Sequence, residues 1–169
     1  KPKVRGSNPL GRASDRCRTP RSAVTPLCYE VDLSDVRRRL LHFRLRGEVA
    51  ADASGHAEVF LPVWTPGSYL VREFARLVRD VRARRVAGGG VAWPERSKNR
   101  WRVPVLADGT LDLRWSVYAR ELTVRTAYVE PNTAFWNGAN VLLWPVDADG
   151  QPAGERSASL RIALASPDQ

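Results

Sequence analysis

Leu41-His42-Phe43-Arg44-Leu45-Arg46-Gly47-Glu48-Val49 and, further along, Leu111-Asp112-Leu113-Arg114-Trp115-Ser116-Val117-Tyr118-Ala119 decide the fold. In both stretches apolar or small residues hold the odd positions and mostly polar ones the even positions. Successive side chains of a strand point to opposite faces, so each stretch predicts a strand with one dry and one wet face. Shorter versions recur at 29–33, 57–61, 77–86, 101–105, 122–129, 141–144 and 160–164. Turn-forming runs separate them: Asp52-Ala53-Ser54-Gly55, Gly88-Gly89-Gly90, Asp108-Gly109 and Asp147-Ala148-Asp149-Gly150. No segment carries a sustained helical stripe, although 68–77 has room for one or two turns. The expected fold is all-β, an antiparallel β-sandwich of about eight or nine strands.

The charge is unevenly placed. The 169 residues hold 27 Lys+Arg and 18 Asp+Glu, a net of +9. Seven of the basic groups (Lys1, Lys3, Arg5, Arg12, Arg16, Arg18, Arg21) and one acid, Asp15, fall in residues 1–28, which leaves +3 for the rest. Residues 1–27 also contain Pro2, Pro9, Pro20 and Pro26 and no usable period, so they are expected to form a flexible basic leader before a domain at 28–166. The folded part is not basic enough to suggest a nucleic-acid partner. No apolar run approaches the roughly 20 residues that span a bilayer, so no membrane partner is expected. No apolar stretch of about 7–15 residues follows the basic start; no secretory signal is visible, and a cytoplasmic location is favoured over a periplasmic one. Two cysteines, Cys17 and Cys28, do not make a disulfide framework.

Catalytic patterns are missing. The only histidines are His42 and His56, with no His-Glu-x-x-His or Cys-x-x-Cys, so neither a metal site nor a catalytic residue is expected in this chain. The distinctive stretch is 61–76, Leu-Pro-Val-Trp-Thr-Pro-Gly-Ser-Tyr-Leu-Val-Arg-Glu-Phe-Ala-Arg. Pro62 and Pro66 cannot donate to a ladder, so the strand must leave its sheet here, and Pro66-Gly67 predicts a type II turn with positive φ at Gly67. Trp64, Tyr69, Trp101, Trp115 and Trp144 are expected in the core. Trp93 and Trp136 lie in loops and are the better interface candidates. Arg72 and Glu73 are expected to serve local structure, as an i,i+3 pair between Glu73 and Arg76 if the segment turns helically.

The motif Trp64-Thr65-Pro66-Gly67-Ser68-Tyr69, with Val71-Arg72-Glu73-Phe74-Ala75-Arg76 behind it, resembles the N-terminal domain of the glycyl aminopeptidase family. These are bacterial zinc metallopeptidases whose catalytic domain is followed by a PDZ domain. His42-Phe43, Lys98-Asn99-Arg100-Trp101, the run from Tyr118 to Tyr128, and Phe135-Trp136-Asn137-Gly138 agree with the family in order. Glu130 stands where the family has Asp, and Ser97 replaces an Asp before Lys98. The resemblance implies a non-catalytic module whose partner is a catalytic domain absent from this chain. Zinc would belong to that domain and a peptide would be its substrate, and the chain alone should be inactive. It also implies that the loop from Tyr128 to Gly138 faces the catalytic domain, with Glu130 as the contact for the substrate ammonium and Tyr128, Arg125, Asn137 and Trp136 around it. A free-standing sandwich module binding peptide, carbohydrate or nucleic acid is the alternative.

Overall fold

The computed structural model describes residues 26–65, 67, 70–84 and 90–164. The expected leader at 1–25, the motif residues Pro66, Ser68 and Tyr69, and most of the Gly88-Gly89-Gly90 turn lie outside the described residues.

Among the described residues twelve strands form in chain order: β1 (Leu27–Asp32), β2 (Leu40–Glu48), β3 (His56–Phe60), β4 (Val78–Arg84), β5 (Val91–Ala92), β6 (Glu95–Ser97), β7 (Arg100–Pro104), β8 (Thr110–Tyr118), β9 (Tyr128–Glu130), β10 (Thr133–Phe135), β11 (Trp144–Pro145) and β12 (Ala158–Ala163). A six-stranded sheet runs β12-β1-β2-β8-β4-β5, a four-stranded sheet runs β11-β3-β7-β6, and β9 and β10 form a small hairpin. The β-sandwich expected from period-two alternation is what the chain forms. The strands outnumber the expected eight or nine because several are only two or three residues long. One pairing, β1 with β12, is parallel.

The two long strands behave as their alternation requires, and pair along their whole length. Leu41, Phe43, Leu45, Leu111, Leu113, Trp115 and Val117 all lie in the core, with Phe43 stacked on Trp115 at 5.5 Å between ring centroids. The opposite face of β8 is drier than expected, because Asp112 and Ser116 are both buried. Cross-strand partners on β2 cover them. Arg44 grips Asp112 with Nε at 2.9 Å and a terminal nitrogen at 2.8 Å, and Ser116 Oγ meets His42 Nδ1 at 2.8 Å. Each polar group is thereby satisfied as it leaves water.

Three expected strands come out differently. In β4 the register slips between Arg79 and Arg82 around Asp80, which has φ 51°. This bulge lets Val78 and Val81 face the core despite their odd spacing. Of 122–129 only Tyr128 and Val129 enter a strand, and the rest is a loop. The 141–144 stretch is split between a short helix, α1 (Gly138–Val141), and β11. Its carbonyls have other work: Val141 O accepts from Trp115 Nε1 at 2.9 Å and Leu143 O from the Tyr29 hydroxyl at 2.8 Å. Burial pushes the Tyr29 phenol far above its ordinary range, so it remains a donor. Leu27, assigned by sequence to the leader, is a core residue that donates its N–H to Ser157 O at 3.0 Å. The helical turn within 68–77 is the 3-10 turn Phe74–Leu77.

Two outcomes are expected on unfolding. Tyr29→Phe, which orphans the Leu143 carbonyl, should cost about 1–2 kcal/mol in urea denaturation. Asp112→Ala should cost about 2–3 kcal/mol at neutral pH, since a charge-assisted pair is broken. Burial is the largest single influence and would raise the Asp112 pKa, but the Arg44 hydrogen bonds together with the charges of Arg44, Arg46 and Arg114 outweigh it and hold the carboxyl below its usual value. Its contribution is therefore complete above the unfolded value of about 4 and fades as pH falls through the depressed folded value. The difference between wild type and Asp112→Ala should shrink accordingly in acid.

Candidate functional site

The two segments singled out by sequence meet at one end of the sandwich. The first leaves β3 at Leu61, whose N–H donates to Asn99 O at 2.9 Å and whose carbonyl accepts from Asn99 Nδ2 at 2.7 Å. Pro62 then ends ladder pairing as expected, and Gly67 has φ 81°, the positive value a type II turn needs. The segment closes on itself where Arg72 N–H donates to Val63 O at 2.5 Å, and Arg96 fixes its far end through a 2.9 Å bond to Ala75 O. The second segment runs from Arg120 to Val141. Its base is a bridge between Arg120 and Tyr128, with Val129 N–H donating to Ala119 O at 2.9 Å.

Direct contacts join the two. Arg76 approaches Glu121 at 3.9 Å, and α1 packs beside the Phe74–Leu77 turn. Asn140, buried on α1, donates to Arg125 O at 3.0 Å. Among the described residues the two segments expose six large apolar side chains: Trp64, Leu70, Val71, Leu122, Val124 and Phe135. They also hold two buried polar atoms without a hydrogen bond, Arg72 Nε and Asn140 Oδ1. Trp64 was expected in the core but is 56% exposed, because the chain has already turned away from the sheet at Pro62. Trp101 and Trp115 are buried as expected, Trp144 is half-buried, and Trp93 is exposed.

Glu130 lies at the base of this end, half-exposed. Its Oε1 accepts from an Arg39 terminal nitrogen at 2.7 Å, and the other terminal nitrogen of Arg39 reaches Val129 O at 2.8 Å. The Arg39 guanidinium also lies over the Tyr128 ring, 5.3 Å from its centroid. Hydrogen bonds from Tyr128 and Arg39 lower the Glu130 pKa and keep it ionised at neutral pH. Sequence reading missed Arg39. Its signal is conformational: φ is 60°, rare for a residue with a side chain, and its carbonyl is held by Ala119 N–H at 2.8 Å.

The remaining candidates have local duties. Asn137 caps α1, its Oδ1 accepting from Ala139 N–H at 2.9 Å. Trp136 is half-buried and edge-on to Phe43 at 6.5 Å between ring centroids. Arg125 presents an exposed side chain. Glu73 is exposed, and Arg76 pairs with Glu121 instead of Glu73, which corrects the expected i,i+3 pair. The geometry thus brings Tyr128 and Glu130 together with Arg39, and sets Arg125 beside Asn140.

Zinc does not fit the described residues, among which no group of three or more His, Cys, Asp and Glu side chains is placed to hold a metal ion. His42 bonds Ser116 and His56 bonds Ser54, each within its own strand pair or turn. Among the described residues no helix is long and apolar enough to cross a membrane.

Residues 28–167 match the family model described as the peptidase M61 N-terminal domain. The crystal structure of an aminopeptidase N family protein from Idiomarina loihiensis superposes with a TM-score of 0.65 and 25% identity. The match covers 82% of this chain but only 22% of that protein's length. A comparison with curated proteins finds no match. With the pinned Trp-x-Pro-Gly loop, the two-sheet core and the family match covering the same residues, the chain belongs to the N-terminal domains of the M61, glycyl aminopeptidase-like peptidases.

Proposed function

We propose that this chain is the non-catalytic leading domain of a zinc-dependent aminopeptidase, and that the sandwich end built from 61–77 and 120–141 packs against the catalytic domain and lines one side of its substrate cleft. One observation carries the reading: the two segments converge on one end and leave Trp64, Leu70, Val71, Leu122 and Val124 in water. Large apolar side chains gathered in water on a folded domain mark a place where something else belongs. The two orphaned polar atoms, Arg72 Nε and Asn140 Oδ1, lie in the same region.

Within that surface Glu130 is the acceptor for the substrate's free ammonium, with peptide as the substrate class. Arg39 occupies only Oε1 and fixes the carboxylate in place, and the lowered pKa keeps it charged wherever an aminopeptidase works. A substrate ammonium would then join a charge-assisted cluster already ordered before binding. Tyr128 supplies the wall of this cluster and Arg125 the outer rim. The catalytic zinc and its ligands belong to the domain that follows.

In the full-length enzyme, Glu130→Gln should raise KM for aminoacyl substrates roughly 10–100-fold, the worth of one charge-assisted contact, with a smaller change in kcat. Steady-state kinetics that leave both constants at wild-type values would remove Glu130 from the cleft. The purified 169-residue chain should hydrolyse no aminoacyl substrate, with or without added zinc. Chelator-sensitive turnover by this chain would overturn its assignment as non-catalytic.

A further inference from the structure

The six-stranded sheet ends on β12, a strand exposed at every residue. Its register shows which way the side chains point. Leu160 is level with Tyr29 and Ile162 with Val31, and level residues of paired strands project to the same face. Tyr29 and Val31 are core residues, so Leu160 and Ile162 lie on the core face of the sheet, yet they are 46% and 51% exposed. Leu164 continues the alternation at 75%. The facing sheet ends on β11, where Trp144 lines an open cleft of about 720 Å³ with Ala153, Gly154, Arg156 and Ser157, the residues that lead into β12. The core face is therefore open along this flank.

We propose that this flank seats polypeptide that follows β12 in the intact M61 peptidase, an apolar segment that covers Leu160, Ile162 and Leu164 and completes the sandwich. The inference rests on the reading that this chain leads a longer peptidase, and is independent of any role for Glu130. The solved relative is far longer, this chain covering only 22% of it, so polypeptide continuing from β12 is the nearest available occupant. A tethered segment acts at high effective concentration and needs little area to bind. A second copy is the poorer fit: three half-exposed aliphatic side chains offer on the order of 300 Å², well short of the ~800 Å² per partner of a stable interface.

Hydrogen exchange tests this in the full-length peptidase and in the 169-residue chain, with the amides of β2 and β8 as the internal reference for folding. Exchange across 158–164 should be at least tenfold slower in the full-length protein. Ile162→Asp should lower the full-length Tm by about 4 °C or more. The milder Ile162→Ser should move it the same way by less, while Val124→Asp, at the loop end, should leave exchange across 158–164 unchanged. Equal exchange in the two proteins, or an unchanged Tm for both Ile162 variants, would overturn the proposal. So would a dimer of the 169-residue chain that Ile162→Asp disperses, since the flank would then belong to a second copy. A natural polypeptide that lacks a catalytic domain would instead overturn the reading under Proposed function.

Discussion

Two buried hydrogen bonds hold the rest of the molecule in place. Trp115 on β8 and Tyr29 on β1 each send a side-chain donor across the core to a carbonyl in the 141–143 segment. A carbonyl buried without a partner costs roughly 1–3 kcal/mol, and this segment crosses the interior where no ladder can reach it. The two donors make that crossing affordable. They also fix α1, and with it Asn140 and the neighbouring 74–77 turn, to the dominant sheet. The loop end of the sandwich is thus set in position by the residues that form its core.

The architecture was legible because its strongest signal is simple. Strict alternation over nine residues in β2 and β8 leaves one reading, and the two strands pair register by register along their full length. Legibility failed where tertiary contacts override period. Residues 141–144 have the composition of a strand, but their carbonyls are claimed by side chains far away in sequence. The β4 bulge places Val78 and Val81 on one face, which no two-residue period allows. Asp112 reads as a solvent position, and only the diagonal reach of Arg44 explains how a carboxylate can be buried there.

The loop end was legible in part, for a different reason. Pro62 and Gly67 restrict the backbone locally, so a rigid exit from β3 could be foreseen. The partners of each side chain could not, because they lie on distant segments. Arg39 illustrates this: nothing in Arg37-Arg38-Arg39 marks one arginine over its neighbours. Only the fold brings it level with Val129 and Glu130, where the left-handed backbone turns its guanidinium onto the carboxylate. Trp64 comes out exposed by the same logic, since burial of an aromatic in a loop depends on what the loop packs against.

The domain leaves two surfaces incomplete, and they differ in kind. At the loop end, apolar side chains are exposed on separate loops, and Arg39 and Glu130 form an ion pair at its base. Along β12 the exposed row is purely aliphatic and continuous with the core, a composition that belongs inside a fold. The net charge follows the same division. Arg46 and Arg114 occupy the outer face of the main sheet, exposed, while Arg44 is drawn onto Asp112. Arg161, between Leu160 and Ile162, projects to the opposite face of β12, while Arg156, just before the strand, lines the cleft beside the aliphatic row. Within β12 itself, charge and apolar side chains are segregated by strand alternation, the same period that specifies the sandwich.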